Sequence, residues 1–304
     1  MSRVAIVIVT FNSASQIGPC LDSVQNLDAE IVVVDNASED CTRDEITARQ
    51  IPPIANTANV GFATAVNQGV RATTAPLVLL LNPDAVLVGG LDALEAEFLD
   101  PQTGAAGGLL TDAAGSPQAG FMARNLPKPV TLIFEVLGIN SLFPRNPVNW
   151  HYRCLGFNPV TPAFVEQPAG AFLMFRRTVW ERLGGFDERF FPVWFEDVDF
   201  CARIKQAGLR VRYNPVAVAK HTGAHSVGVL PLEIRERYWY GSLLKYAAKH
   251  YPPIAFGWVC AAVTFGAVLR AVRVYPRYGF SAVVVYGAVC RLALGQLWRR
   301  RGGV

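Results

Sequence analysis

The chain has no paired cysteines: its six cysteines are scattered, and none lies in a CxxC spacing. Scattered cysteines are typical of a reducing compartment, and they argue against a disulfide framework and a zinc site. The sequence has no internal repeat and no low-complexity segment, which excludes a repeat architecture. A long apolar run is also missing near the start, because residues 4–9 are followed at once by polar turn residues. We therefore expect a first β-strand there and not a signal peptide.

Charged residues are scarce, and acidic residues almost disappear from the last quarter of the chain. Hydrophobic residues make up 51% of the 304 positions and charged residues only 17%. Residues 231–304 contain 11 Lys and Arg but 2 Asp and Glu, a net charge of +9, whereas residues 1–230 contain 17 and 22, a net charge of −5. We predict an α/β domain over 1–230, followed by a basic, apolar, helical region over 231–304.

The C-terminal region has two apolar runs, residues 254–269 and 280–290, and both are followed by arginine. Neither run reaches the ~20 residues that a membrane-spanning helix needs. Arginines combined with tryptophans and tyrosines favour helices that lie in the interface of an anionic membrane leaflet. A helical hairpin docked on the protein core, and a true transmembrane pass, are the two alternatives.

The first third of the chain predicts alternating strands and helices. Residues 4–9, 30–35 and 76–82 are short runs rich in β-branched residues, typical of strands buried on both faces. Helical segments lie between or after them, at about 14–26, 40–50 and 62–73. The order favours an open, doubly wound sheet. Further on we predict a helix near 90–99, a strand at 172–175, and helices at 177–185 and 198–208.

Residues 122–165 are rich in proline and show no regular pattern apart from one apolar segment at 130–143. A stretch this long inside a compact domain is more often a lid or a binding loop than a simple connection. We therefore expect an irregular segment here.

Polar residues follow the three predicted strands at the point where each strand ends. They are Thr10 and Asn12, on either side of Phe11, then Asp35 and Asn36, and then Asn82 and Asp84, on either side of Pro83. In a doubly wound sheet, ligands bind beyond the carboxyl ends of the strands. These residues therefore predict one ligand-binding crevice.

Seven motifs stand in a characteristic order: VTFN (9–12), VVVDNASED (32–40), NVGFATAVNQG (59–69), LLLNPDA (79–85), GAFLMFRRTVWERLGGFDERFF (170–191), FEDVDFCARIKQAG (195–208) and HTGAHS (221–226). In this order they resemble family 2 glycosyltransferases, most closely the rhamnosyltransferase-like branch, over about residues 3–226. The resemblance implies a GT-A fold with a nucleotide-sugar half (about 1–110) and an acceptor half (about 111–230). It also implies an enzyme that inverts the anomeric carbon of a nucleotide sugar.

The resemblance assigns nucleotide-sugar contacts to the crevice residues. Asp35 would accept a hydrogen bond from a pyrimidine base, although the same residue type also suits a turn or helix cap. Thr10, Phe11 and Asn12 would frame the nucleoside. Further contacts are expected from Asn59, Gly61, Asn67, Asn82, Gly170 and Ala171.

A divalent metal, Mn or Mg, is implied at the position of the family's Asp-x-Asp motif, where this chain has Asn82-Pro83-Asp84. Because only Asp84 carries a charge there, the site needs another ligand. His221 matches the histidine that the family carries in HTGAHS, although a lone histidine is more often structural. Imidazole as a ligand would favour Mn over Mg, which prefers oxygen ligands.

Three carboxylates, Glu196, Asp197 and Asp199, lie within four positions among Phe, Trp and Val. Asp199 and Arg203 have helical i,i+4 spacing, so we predict a structural ion pair between them. Glu196 and Asp197 stand at the helix start, where the helix dipole tolerates anions. Sugar transfer also needs a base that takes the proton of the acceptor hydroxyl. The resemblance assigns that role to Asp197, with Glu196 as second choice.

These features predict an inverting, metal-dependent glycosyltransferase at the cytoplasmic face of the cell membrane, held there peripherally by its C-terminal region. The resemblance suggests dTDP-L-rhamnose as donor and a saccharide or polyprenyl-linked glycan precursor as acceptor, with no nucleic-acid partner. A sugar nucleotidyltransferase is one alternative, but VTFNSAS has no basic residue for a phosphate loop. A non-catalytic scaffold is another, but it usually lacks the base or metal residues.

Overall fold

The computed structural model describes residues 2–223 and 230–302. Within these ranges the strands are β1 (Val4–Thr10), β2 (Ala29–Asp35), β3 (Ile54–Ala55), β4 (Leu77–Leu81), β5 (Ala85–Gly89), β6 (Thr103–Thr111), β7 (Ala123–Arg124), β8 (Ala163–Val165), β9 (Gln167–Pro168), β10 (Phe172–Arg176) and β11 (Arg210–His221).

The helices are α1 (Ala14–Asp22), α2 (Thr42–Thr47), α3 (Phe62–Arg71), α4 (Leu91–Ala96), α5 (Pro129–Val136), α6 (Ile139–Leu142), α7 (Pro147–Tyr152), α8 (Arg177–Arg182), α9 (Glu196–Gln206), α10 (Leu232–His250), α11 (Pro253–Tyr278) and α12 (Phe280–Gly302). A 3-10 turn, Glu97–Leu99, follows α4.

A large mixed sheet has the strand order β3-β2-β1-β4-β10-β6-β11-β5, with β8 paired to β11. Strand β1 is parallel to both β2 and β4, whereas β10 is antiparallel to β4 and β6. All seven residues of β1 are buried, and so are all five of β4. The predicted βαβαβ beginning is therefore confirmed, and the second half of the sheet adds antiparallel strands.

The buried residues of β1 alternate between two apolar layers. Ile6 and Ile8 belong to a cluster that contains Ile17 of α1, whereas Val7 belongs to the cluster that contains Val66 of α3. Because successive side chains of a strand point to opposite faces, each helix covers one face of the sheet. This explains why the strand sequence is continuously apolar and not alternating.

The expectation of an irregular segment at 122–165 is wrong. Three short helices, α5, α6 and α7, lie within it. Two of them begin at prolines, Pro129 and Pro147. Proline is tolerated at the first helical position, because its fixed φ suits a helix and the missing N–H has no partner there anyway. We had interpreted these prolines as loop residues, although they mark helix starts.

The chain divides into two compact units. The first contains the chain up to Leu126, Arg153–Pro192 and the segment from Glu196 through β11. The second contains Pro127–Tyr152, Val193–Phe195 and the chain from Leu230 onward. Helix α5 thus belongs with the C-terminal helices.

The second unit is a helical bundle in which α11 packs on α5 and on α12. Gly266 of α11 lies so close to α5 that a Cβ would stand 2.3 Å from the Val136 carbonyl oxygen. The Arg270 guanidinium donates a hydrogen bond to the Glu135 carbonyl oxygen at 3.1 Å. This close approach therefore needs glycine in α11.

The two C-terminal helices are longer than the apolar runs from which we predicted them. Helix α11 has 26 residues and α12 has 23, because both continue past the arginines. By length and composition, Pro253–Tyr278 and Phe280–Trp298 are each able to cross a membrane. The argument that they are too short is therefore wrong.

Candidate active site

The end of β4 and the start of β10 lie side by side and bring two predicted motifs together. Leu81 pairs with Phe172 in the antiparallel ladder, and the Asn82 N–H donates to the Ala171 carbonyl oxygen at 3.0 Å. The Asn82-Pro83-Asp84 turn therefore lies next to the turn that contains Gly170.

Asp197 stands in the first turn of α9 and accepts three hydrogen bonds. Its Oδ2 accepts from the Gly170 N–H at 2.9 Å and from Gln167 Nε2 at 3.0 Å, and its Oδ1 accepts from the Val198 N–H at 2.8 Å. Burial raises the pKa of Asp197, while these donors act in the opposite direction. The carboxylate is thus desolvated and firmly oriented, which suits a proton acceptor.

Gly170 favours this contact, because it has no side chain. A Cβ at Gly170 would stand 3.0 Å from both the Cβ and the Oδ2 of Asp197. Any other residue there would require the Asp197 side chain to shift by a few tenths of an ångström. The glycine predicted to line the donor sugar therefore also holds the proposed base.

Glu196 is only 5% exposed, and none of the described residues forms a hydrogen bond with its Oε2. Burial, followed by the negative charge of Asp197, raises the pKa of Glu196 well above its ordinary value. The two neighbouring acids, which we call the acid cluster, therefore differ in environment: burial favours the neutral form of Glu196, whereas the three donors around Asp197 favour its charged form.

The backbone just before the acid cluster is strained. Trp194 and Phe195 have φ angles of 77° and 70°, in the left-handed region that bulky side chains rarely adopt. Such strain concentrates at functional sites, where surrounding structure enforces it. Nothing in the sequence indicated it, because glycine and asparagine are the residues that usually mark this conformation.

Asp84 and His221, which we call the acid–histidine pair, lie close together at the sheet edge. Their strands pair at Ala85 and His221, and His221 Nε2 is 3.4 Å from Asp84 Oδ1. Asp84 Oδ1 is buried and has no hydrogen-bond partner among residues 2–223 and 230–302. The last three residues of the HTGAHS motif, 224–226, lie outside the described residues.

The segment 118–122 connects the acid–histidine pair to the acid cluster. The Gln118 side chain contacts His221. The backbone N–H of Gln118 donates to the Leu110 carbonyl oxygen at 2.9 Å. The Met122 carbonyl oxygen accepts from the Ala169 N–H at 3.1 Å, and the next residue is Gly170, which binds Asp197. The acid–histidine pair and the acid cluster therefore lie at the same edge of the sheet.

Asp35 lies buried at the carboxyl end of β2, with three partners inside the protein. Its carboxylate accepts from the Thr10 hydroxyl at 3.0 Å and from the Ser38 N–H at 3.2 Å, and it pairs with Arg43 Nε at 2.5 Å. The Arg43 side chain is 43% exposed, whereas that of Asp35 is fully buried. Recognition of a nucleotide base by Asp35 stays a prediction, and the ion pair with Arg43 was not predicted from the sequence.

The loop after β1 is bonded to the loop after β2. Asn12 has a φ of 50°, and its side-chain oxygen accepts from the Glu39 N–H at 2.8 Å. The Asn12 N–H donates to the Ser38 hydroxyl at 2.9 Å. Thr10 is buried and Phe11 is half-buried. These residues therefore shape one wall of the predicted crevice mainly through their backbone.

The predicted contact of Asn67 with the nucleotide sugar does not fit its surroundings, because its side chain is already hydrogen-bonded within the protein. Its amide nitrogen donates to the Phe186 carbonyl oxygen and to Glu188, while its oxygen accepts from Trp180 Nε1 and from the Phe186 N–H. An asparagine amide can make only these four bonds. No position remains for a ribose or phosphate, so Asn67 supports the 185–188 turn instead.

Asn59 and Gly61 are also engaged within the protein. The Asn59 side-chain oxygen accepts from Asn36 Nδ2 and from the Gly61 N–H, both at 2.9 Å. Gly61 has a φ of 87°, and a Cβ there would stand 2.8 Å from the Phe191 ring. The absence of a side chain at Gly61 therefore lets the Phe191 ring approach its backbone closely.

Among the described residues, no group of three or more His, Cys, Asp or Glu side chains forms a ready-made metal site. The acid–histidine pair nevertheless fits a divalent cation. A buried carboxylate oxygen without a partner faces an imidazole nitrogen, and both are metal-ligand types. Two protein ligands suit a cation whose other ligands are water and substrate phosphate.

Comparisons with known proteins agree with this architecture. A family model described as "Glycosyl transferase family 2" matches residues 5–157, and one described as "Glycosyl transferase family group 2" matches residues 146–297. The chain is 32% identical over 246 residues to the N-acetylglucosaminyl-diphospho-decaprenol L-rhamnosyltransferase of Mycobacterium tuberculosis, covering 73% of this chain and 77% of that one. It is 24% identical over 251 residues to the O-antigen chain rhamnosyltransferase RfbN of Salmonella typhimurium, covering 78% and 70%.

Solved structures share the fold at low sequence identity. The mannosyltransferase PcManGT from Pyrobaculum calidifontis, in complex with GDP-Man and Mn2+, has a TM-score of 0.54 and 20% identity, covering 96% of this chain and 80% of that chain. TarS 1–349 of S. aureus has a TM-score of 0.50 and 16% identity, covering 100% and 92%. The predicted GT-A type fold is confirmed. With a family match across half its length and a close relative along most of it, the chain belongs to glycosyl transferase family 2 and is a glycosyltransferase.

Proposed function

We propose that the protein is an inverting, metal-dependent enzyme that transfers L-rhamnose from dTDP-L-rhamnose to a lipid-linked saccharide of the cell envelope. The observation that carries the chemistry is the placement of the acid–histidine pair and the acid cluster at one edge of the sheet. The sugar and the acceptor are inferred from the names of the relatives, which include an N-acetylglucosaminyl-diphospho-decaprenol L-rhamnosyltransferase.

Asp197 is the proposed general base. Its desolvated carboxylate takes the proton of the acceptor hydroxyl as that oxygen attacks the anomeric carbon. The donors Gln167 and Gly170 hold Asp197 in one orientation, so less reorganisation is needed when the proton moves. Glu196, in its neutral form, is the proposed second acid, and it helps to orient the acceptor.

Asp84 and His221 would hold a divalent cation, Mn or Mg. When bound, the cation would act as a Lewis acid on the diphosphate leaving group, where negative charge develops. The side chains themselves contribute a buried negative charge and a nitrogen donor at the end of β4. Asn82 supplies no charge to this site, and its backbone ties the turn to Ala171.

We further propose that the nucleoside binds in the crevice lined by Thr10, Phe11, Asn12 and Asp35, within a nucleotide-sugar half of about residues 1–110. The acceptor half, about residues 111–230, supplies the acid cluster. Gly170 and Ala171 lie where these halves meet and would line the donor sugar.

A transfer assay against a donor panel tests the function. With a polyprenyl-diphosphate-linked saccharide as acceptor, we expect turnover with dTDP-L-rhamnose and Mn²⁺, and none in excess EDTA until Mn²⁺ is restored. UDP- and GDP-sugars serve as controls for the nucleotide. Full turnover in EDTA would contradict the metal role, and turnover only with another donor would contradict the sugar assignment. Absence of both transfer and donor hydrolysis would favour the non-catalytic scaffold.

The second unit is proposed to lie on the cytoplasmic surface of the cell membrane. Exposed apolar side chains of α11 recur at helical spacing and are joined by others on α12: Ile254, Trp258, Phe265, Leu269, Val272, Phe280, Val284, Leu294 and Trp298. The region around them carries a net charge of +9. Apolar and aromatic side chains combined with positive charge fit an anionic lipid surface.

Removing two large side chains from this face should weaken vesicle binding. The variant Trp258→Glu/Phe265→Glu loses side chains that are 66% and 59% exposed, so the bundle core is spared. Because insertion of each is worth about 1.5–3 kcal/mol, affinity for anionic phosphatidylglycerol vesicles should fall at least ~10-fold.

The matched control for this experiment is Leu99→Glu, because Leu99 is 77% exposed and belongs to the first unit. Vesicle flotation of the full-length chain measures the binding. Equal flotation of the double variant and the wild type would contradict the assignment of this surface. Resistance of the wild type to alkaline extraction would indicate insertion and not surface binding.

A further inference from the structure

Gln118 holds His221 at two points, although 103 residues separate them in sequence. The Gln118 Nε2 donates to the His221 carbonyl oxygen at 2.6 Å, and the Gln118 Oε1 lies 3.1 Å from the His221 Nδ1. The Phe121 ring stacks on the imidazole, with 5.2 Å between ring centroids and 5° between the planes. His221 is 4% exposed, so these contacts define its position almost completely.

The two bonds together determine where the imidazole proton lies. Only the amide nitrogen of Gln118 is able to donate to a carbonyl oxygen, so the amide oxygen must be the atom that faces Nδ1. That oxygen accepts a hydrogen bond, and Nδ1 therefore carries a proton. In the neutral ring Nε2 is then left with its lone pair, 3.4 Å from the buried Oδ1 of Asp84, which has no hydrogen-bond partner in the described part of the chain.

We propose that Gln118 is a positioning residue for the divalent cation. It holds His221 in the Nδ1–H tautomer and fixes the ring, so that the Nε2 lone pair is presented beside Asp84. Partners of this kind orient metal-binding histidines in many proteins, and their loss typically lowers metal affinity by about 10–100-fold. The inference depends on the proposed metal role of the acid–histidine pair.

Direct Mn²⁺ titration tests the inference without an activity assay. Free Mn²⁺ is followed by electron paramagnetic resonance for the full-length wild type and for Gln118→Leu, Gln118→Glu, His221→Ala and Gln25→Leu. We expect about 10–100-fold weaker binding for Gln118→Leu, and a smaller loss for Gln118→Glu, which keeps an acceptor for Nδ1–H but loses the donor to the His221 carbonyl oxygen. Gln25 is exposed, so Gln25→Leu should behave as wild type.

The outcomes separate this inference from the function on which it depends. If His221→Ala weakens Mn²⁺ binding but Gln118→Leu does not, the positioning role is wrong and the metal site stands. If His221→Ala binds Mn²⁺ as tightly as wild type, both proposals fail.

Nitrogen-15 NMR of the four histidines in the metal-free protein at pH 8 gives a second readout that does not need a folded variant. His221 should carry its proton on Nδ1, and a proton on Nε2 would overturn the inference.

Discussion

Replacing Asp197 with asparagine is expected to lower kcat for sugar transfer by about 10²–10⁴-fold, the range of a general-base contribution. An amide has no basic oxygen of comparable strength, so the proton of the acceptor hydroxyl has no acceptor at the moment of attack. Nucleotide binding should change little, because the proposed nucleoside crevice lies at the ends of β1 and β2. The measurement is kcat by product formation, together with the dissociation constant of dTDP by calorimetry.

A folding defect must be distinguished from this loss of chemistry. The asparagine at 197 has only one acceptor oxygen for the donors that Gln167, Gly170 and Val198 supply, so about 1–3 kcal/mol of stability is at risk. The midpoint of thermal unfolding is therefore recorded for the same samples. Asp92→Asn, at an exposed position in α4, is the matched control and should keep wild-type turnover. Near-normal turnover of Asp197→Asn would mean that another residue is the base.

The pH profile of the wild type follows from the same carboxylate. Transfer needs the ionised form of Asp197, so activity should fall as pH decreases through its pKa. Burial raises that pKa, and the acid limb should therefore lie above ~3.9, the ordinary value for aspartate. The Arg124 charge opposes this shift, while the Asp197 charge in turn raises the pKa of the neighbouring Glu196 and Cys201. An acid limb below the ordinary value would contradict the assignment.

Asp199→Asn, two residues further along α9, should impair stability and not chemistry. The Asp199 side chain is fully buried and pairs with Arg203 Nε at 2.7 Å, while the Arg203 side chain is only 13% exposed. This confirms the ion pair predicted from their spacing. Removing one partner of a buried pair leaves an uncompensated charge and costs about 3–5 kcal/mol. The first thermal transition should fall by roughly 6–20 °C in calorimetry.

The pair Asp22–Arg49 gives a more exposed control, because it joins the same residue types at 2.6 Å with the aspartate side chain 51% exposed. Asp22→Asn should therefore lower the midpoint of thermal unfolding much less than Asp199→Asn does. Unchanged unfolding of Asp199→Asn would show that the pair is not buried as described. Folded Asp199→Asn should still transfer sugar below its transition, in contrast to Asp197→Asn.

The parts of the fold that could be predicted are those in which burial leaves a local pattern. Strands β1, β2 and β4 were placed within one residue at each end, because strands covered on both faces read as continuous apolar runs. Helix α9 begins at Glu196, two residues before the predicted start, because acids at a helix start look the same as acids in a preceding loop. Helices α5 to α7 were missed, because proline marks both loops and helix starts.

The candidate site also has a part that could be predicted from the sequence and a part that could not. The positions of Asp35 and Asp84 at strand ends could be predicted from the sequence, because the chain order of an α/β sheet dictates where those ends gather, and the motifs singled out Asp197 and His221. Only the tertiary structure decided which groups hold them: Gln118 on His221, Gln167 on Asp197 and Arg43 on Asp35. The first two of these pairs join residues 103 and 30 positions apart. A hydrogen bond over such a distance leaves no periodicity in the sequence, since it depends on how the loops pack and not on the repeat of a helix or strand.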